Sequence, residues 1–255
     1  MYKNPFQLLL AKQKYVFGVN LSSRDPVFTE ALAQRYDYVW IDWEHTSLDR
    51  DNLLGHIIAS HSGGAASIVR VPWNNPVLVK PVLDMGPDGV VFPMVQTATE
   101  AQDAVAACLY PPKGIRGWGP GRCSGFGIVS DQEYYTQSEE RVFKVIQIES
   151  KKGVENLHDI LMVDGVDAVC IGRCDLAGSL GKMGQWDEML VTECCEKIAK
   201  KVVESGKVLM NSCGFSKTDL TRWIGWGTRL LTIDSDIGMM LTRAEEELEF
   251  LRGLQ

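Results

Sequence analysis

KVIQIE at residues 144–149 and DAVCIGRCD at residues 167–175 each run a short apolar stretch into a carboxylate. The two-residue period of a strand puts Gln147 and Glu149 on one face of the first segment and Lys144 on the other. The second segment is apolar on both parities up to Gly172, as expected of a strand covered on both sides in a parallel sheet. Carboxyl ends of parallel strands face the ligand crevice, so Glu149 and Asp175 read as two acids looking into one site. Converging carboxylates suit a divalent cation, a hard ion that takes oxygen ligands and keeps exchangeable waters. Buried salt bridges inside the barrel are the alternative.

Outward from these two segments, apolar runs and helical periods alternate along the chain. The strand candidates are Tyr15–Leu21, Tyr38–Trp43, Ser67–Val71, Gly89–Val95, Phe143–Ile148, Ala168–Gly172, Val208–Ser212 and Arg229–Ile233. Helix candidates between them are Pro26–Arg35, Asp51–Ser60, Pro76–Met85, Thr99–Leu109, Lys152–Met162, Asp187–Ser205, Lys217–Ile224 and Ile237–Arg252. Asp25 before Pro26, and Thr97 or Thr99 before an acidic turn, are helix start signals. Eight such units in 255 residues predict a single-domain (β/α)₈ TIM barrel spanning 1–255. An open doubly wound sheet is disfavoured because no glycine fingerprint follows the first strand. The connection from Tyr110 to Val142 is too long for an ordinary βα loop and its front half is rich in glycine; loops of that length are usually functional.

Composition narrows the function. The chain has 26 Lys and Arg against 33 Asp and Glu, a net charge of −7, and no basic stripe, which excludes nucleic acid as the expected partner. No apolar run approaches the roughly 20 residues that span a membrane, and the N-terminus lacks a small-residue cleavage site, so a cytoplasmic protein is expected. Seven cysteines (108, 123, 170, 174, 194, 195 and 213) without C-x-x-C pairs argue against a disulfide framework and a structural zinc site.

In a barrel the strand ends line one mouth. There the second strand supplies Asp42, Glu44 and His45, the third Arg70, the fifth Gln147 and Glu149, the sixth Asp175, and the eighth Asp234 and Asp236. A base, a cation, an amide and two carboxylates form an active-site inventory. Individually, His45 also fits a structural histidine and Arg70 a structural partner of Asp42 or Glu44. His56, His61 and His158 fall on helices outside the barrel and read as surface. No strand carries an inward lysine near the mouth, since Lys144 has the wrong parity and Lys207 lies at the closed end. A Schiff-base electrophile therefore gives way to a metal.

Seven segments in order resemble the HpcH/HpaI family of class II, metal-dependent pyruvate aldolases over nearly the whole chain: 40–45 (WIDWEH), 69–76 (VRVPWNNP), 82–86 (VLDMG), 92–101 (FPMVQTATEA), 110–120 (YPPKGIRGWGP), 147–150 (QIES) and 172–181 (GRCDLAGSLG). The resemblance implies cleavage of a 4-hydroxy-2-oxo acid to pyruvate and an aldehyde. It implies a divalent ion (Mg²⁺, Mn²⁺ or Co²⁺) on Glu149 and Asp175, and His45 as base with Asp84 raising its basicity. Arg70 would stabilise the enolate, Gln147 would touch the 2-oxo acid, and the amides of Cys174 and Asp175 would hold its carboxylate. It also implies a homohexamer, a trimer of dimers, with Ile237–Arg252 as a swapped C-terminal helix. Other metal–enolate chemistry, such as oxaloacetate decarboxylation or carbon–carbon bond formation, and a non-catalytic metabolite-binding barrel are the alternatives. The chain departs from the family pattern at Arg173, where proline is usual, at Trp43, and at Thr46–Ser47. Arg173 is expected to bind a second substrate carboxylate if it points inward, and to be a surface charge or interface ion pair if it points outward.

Overall fold

The computed structural model describes residues 2–212 and 216–254; Cys213 lies outside the described residues. Eight strands, β1 (Val16–Leu21), β2 (Tyr38–Asp42), β3 (Ala66–Arg70), β4 (Gly89–Phe92), β5 (Phe143–Ile148), β6 (Ala168–Ile171), β7 (Val208–Ser212) and β8 (Leu230–Ser235), pair in parallel and in chain order, and β8 closes on β1. The helices are α1 (Pro5–Lys12), α2 (Pro26–Ala33), α3 (Arg50–Gly63), α4 (Pro76–Met85), α5 (Ala98–Cys108), α6 (Asp131–Gln137), α7 (Lys151–Glu155), α8 (Leu157–Leu161), α9 (Arg173–Ser179), α10 (Met189–Glu204), α11 (Lys217–Gly225) and α12 (Asp236–Arg252). The expected TIM barrel is present. Among the described residues no helix is long and apolar enough to cross a membrane.

Strand parity divides the apolar residues into two cores. Tyr38, Trp40, Ile68, Val91, Val145, Cys170 and Met210 fill the barrel, while Val39, Ile41, Val69, Val90, Ile146 and Val169 face the helices. The filling is uneven in size: a Cβ on Gly18 of β1 would lie 2.2 Å from the Tyr38 ring, so only glycine leaves room for that tyrosine. The strand amino ends are closed by α1, which the sequence reading omitted although Asn4 caps it and Pro5 opens it. Its Phe6 stacks on Phe143, with centroids 5.1 Å apart, and packs beside Tyr38. Asn4 Nδ2 donates to the carbonyls of Asp88 and Arg141, at 2.7 and 2.9 Å, which ties the plug to two strand entries.

The long connection follows α5, so it lies at the amino end of the strands, opposite the mouth, and it carries α6. It is thus a helix-to-strand connection and contributes nothing to the mouth. The helix expected over Lys152–Met162 is two short helices, α7 and α8, meeting at Asn156. His56 is a second correction: it is fully buried between α2 and α3, its Nδ1 2.6 Å from Thr29 Oγ1. His61 and His158 are exposed, as expected.

Candidate active site

At the carboxyl ends of the strands the inward-facing polar side chains converge. Arg70, the last residue of β3, forks onto Asp42, the last of β2, with Nε–Oδ1 3.0 Å and Nη2–Oδ2 2.7 Å. The strand register pairs these two residues directly, so the bidentate contact follows from the sheet. Nη1 of Arg70 lies 3.2 Å from Glu44, and Glu44 lies 3.7 Å from His45 Nε2. Burial raises the Glu44 pKa, against the lowering by Arg70.

Glu149 is the most perturbed acid of the group. Burial pushes its pKa up to about 7, with Glu44 and Asp175 adding to the rise. One carboxylate oxygen accepts from the Met94 amide at 2.6 Å and the other from the Gln147 side chain. Met94 takes a left-handed backbone, φ 56°, to aim that amide; such a conformation in a non-glycine residue is the kind of strain found at functional sites. The sequence carries no side-chain sign of it. A Cβ on Gly172 would lie 2.3 Å from Glu149 Oε2 and 2.9 Å from Gln147 Nε2. Gly172 is needed for space, since its own φ of −85° is ordinary.

Asp175 sits in the first turn of α9, a helix whose N-cap is Gly172 and which has no side-chain cap. Among the described residues no side chain accepts from the amides of that turn. Cys174 is exposed as a residue, while partial burial of its thiol raises the pKa, with Arg173 pulling the other way. Lys144 is buried outside the barrel, its Nζ 2.7 Å from the Val142 carbonyl, and Lys207 reaches the carbonyls of Val163 and Val166. Lys144 lies where parity put it, and Lys207 at the closed end just before β7, as expected.

Other candidate residues are engaged outside the Arg70–Glu149 cluster. Asp84 lies in the last turn of α4, 2.8 Å from Arg116, and among the described residues no hydrogen bond joins it to His45. α4 runs away from the mouth, so the two residues occupy opposite ends of one barrel. The register between β1 and β8 slips after Gly18, and Asp234 packs against Gly238 of α12. Asp236 accepts from the amides of Ser22 and Ser23 and the Ser22 hydroxyl. Together these donors outweigh burial and hold its carboxyl below the usual range. Arg173 forks onto Asp219 at 3.1 and 3.2 Å and reaches Asp187 at 3.2 Å, with Arg222 completing the cluster.

A closed parallel barrel with polar side chains converging at its strand carboxyl ends is the architecture of barrel enzymes, which act at that mouth. The chain belongs to the HpcH/HpaI aldolase/citrate lyase family, whose profile matches residues 17–241, and it is a lyase of that family. It is 35% identical over 243 residues to the 5-keto-4-deoxy-D-glucarate aldolase of Salmonella paratyphi C (strain RKS4594), covering 93% of each chain. A crystal structure of a family protein from Burkholderia cenocepacia J2315 superposes with a TM-score of 0.92 at 28% identity, covering 98% of this chain and 100% of that one. The citrate synthase SbnG superposes with a TM-score of 0.86 at 26% identity, covering 97% of each.

Proposed function

We propose that the protein is a class II aldolase that reversibly cleaves a 4-hydroxy-2-oxo acid into pyruvate and an aldehyde. The observation that carries this reading is the buried Glu149 carboxyl, raised to about 7 beside Glu44 and Asp175. Negative charge concentrated in a desolvated pocket is a place for a cation. Glu149 and Asp175 would hold a divalent ion (Mg²⁺, Mn²⁺ or Co²⁺), which as a Lewis acid favours the charge that develops on the keto oxygen. Arg70, fixed by Asp42, offers a charge-assisted donor to the same oxygen, an interaction that strengthens as the enolate forms. Gln147 orients the 2-oxo acid, and the first-turn amides at Cys174 and Asp175 take its carboxylate. His45 accepts the proton of the C4 hydroxyl as the C3–C4 bond breaks.

The relatives that act on 5-keto-4-deoxy-D-glucarate support a sugar-diacid substrate. Numbered from its keto end, that compound is itself a 4-hydroxy-2-oxo acid. The likeness to a citrate synthase keeps enolate carbon–carbon bond formation as the second reading. His45 is 62% exposed, and Asp84 lies at the other end of the barrel, so an Asp84–His45 pair requires a second copy of the chain. Met240, Leu241, Leu248, Phe250 and Leu251 stand exposed on α12; they support assembly, proposed here as a homohexamer with α12 exchanged.

The test is pyruvate C3-proton exchange into D₂O followed by NMR. Exchange is expected with Mn²⁺ or Mg²⁺, abolished by EDTA and restored by excess metal. EDTA-resistant exchange together with a borohydride-trapped pyruvyl lysine would overturn the proposal.

A further inference from the structure

We propose that a cleft at the amino end of the barrel is a second ligand site, taking a small organic anion with a carboxylate or phosphate head and a compact apolar body. The cleft, about 380 Å³, lies between the α4–β4 turn and the long connection after α5. That size falls in the range of metabolite pockets. It is lined at strand entries, by Asp88 just before β4 and Arg141 just before β5, and so lies at the end opposite the Glu149 cluster.

Its charge is unusual for this chain. Arg122 and Arg141 both line it, and among the described residues neither has a carboxylate within ion-pair distance. Arg122 is nevertheless held in place: Nη1 donates to the Met85 carbonyl at 2.8 Å and Nη2 lies 3.1 Å from His61 Nδ1. His61 Nε2 is 2.8 Å from Asp88, so the acid selects the tautomer whose Nδ1 accepts from Arg122. Asp88 also accepts from the Ser67 amide and hydroxyl at 2.8 and 3.2 Å. Arg141 is fixed between two rings, 4.2 Å from that of Tyr2 and 5.0 Å from that of Tyr134.

Two ordered guanidinium groups thus face one carboxylate already engaged by three donors, in a chain whose net charge is −7. A local positive cleft of this kind attracts an anion regardless of the overall sign. The planar fork of arginine matches carboxylate and phosphate oxygens. Leu83, Pro87, Val142 and Phe126 supply the apolar wall for the body of the ligand. The proposal does not depend on the lyase reading.

Calorimetric titration of the full chain with phenyl phosphate, benzoate and inorganic phosphate tests it. One phenyl phosphate or one benzoate per chain is expected in the wild type and in Arg70→Ala, the tighter of the two naming the head group. Arg122→Met and Arg141→Met should each weaken it about tenfold or more, the loss of a charged hydrogen bond. Inorganic phosphate binding as tightly as phenyl phosphate would overturn the apolar half of the site. A readout on the unmodified protein guards against misfolded variants: Cys123 lines the cleft, so saturating ligand should slow its alkylation by iodoacetamide several-fold, as read by peptide mapping. No saturable binding, an unchanged Cys123 rate, or binding lost in Arg70→Ala and kept in the two cleft variants would refute the second site.

Discussion

The two ends of the barrel are built on opposite terms. At the floor, Phe6 is fully buried against Phe143 and Tyr38, and Asn4 satisfies two backbone carbonyls. At the mouth, Glu44, Glu149 and Asp175 repel one another around Arg70, and the buried Gln147 side-chain oxygen has no hydrogen-bond partner among the described residues. The floor is a place where packing and hydrogen bonding agree. The mouth keeps charge in a desolvated space, which costs stability unless something binds there. Catalysis and stability are therefore separable by position along the strands, and substitutions in the catalytic cluster and in the α1 plug should have opposite signatures.

The largest effect is expected from Glu149→Gln, which should reduce lyase activity to background. In metal-free protein the same change should raise stability. The folded Glu149 pKa of about 7 exceeds its ordinary 4.5, so the unfolded chain gives up the proton first and the native state loses stability as pH rises from 4.5 to about 7. Removing that carboxyl should gain about 1–3 kcal/mol at pH 8 and almost nothing at pH 4.5. Urea titrations at the two pH values measure this, and equal stability of the two proteins at pH 8 would contradict it. At the floor, Phe6→Ala should cost about 3–5 kcal/mol while leaving kcat of the folded fraction unchanged. A large fall in kcat at full folding would mean that the two ends are coupled.

Arg173 lies on the rim between these regimes. Because its guanidinium is committed to Asp187 and Asp219, Arg173→Ala should lower kcat/KM for a dicarboxylic and a neutral-tailed 4-hydroxy-2-oxo acid by the same factor. That factor should be within about tenfold, the scale of a partly exposed ion-pair network. Selective loss of the diacid would instead show that Arg173 reads the substrate. The smallest effect concerns His56. Burial lowers its pKa from the ordinary 6.5, outweighing Asp236, so the unfolded chain takes up the proton first as pH falls. Stability present above pH 6.5 should decline below it, by about 1 kcal/mol near pH 5.5. His56→Gln should flatten that decline in thermal melts recorded from pH 7 to pH 5.

Much of this architecture was legible from residue patterns. The eight apolar runs became the eight strands to within a few residues, because a strand buried on both faces declares itself by composition. The polar residues at the mouth followed from parity at Gln147 and Glu149 and from strand-end position at Arg70. Short helices were not readable: α9 spans seven residues, less than two full helical periods, and begins without a capping side chain. α1 was missed despite Asn4 and Pro5, since eight residues give little periodicity. His56 was misplaced because α3 packs against α2 as well as the barrel; a Cβ on Gly63 would come within 2.5 Å of Ala33. Asp234 stands at the end of β8 as expected, but the register slip between β1 and β8 could not be read from the sequence. Nothing local reveals that Met94 turns its amide onto Glu149.

Gly172 carries a consequence for how this chain can drift. A single base change in any glycine codon that yields another amino acid yields one with a Cβ, and at this position that carbon would meet Glu149 at 2.3 Å. Every one-step missense neighbour of the gene at that codon therefore presses on the carboxyl proposed to hold the cation. In a saturation library selected for growth on the cognate substrate, codon 172 should return almost exclusively as silent variants, while the neighbouring Arg173 codon, whose side chain points to other acids, should return a wide spectrum.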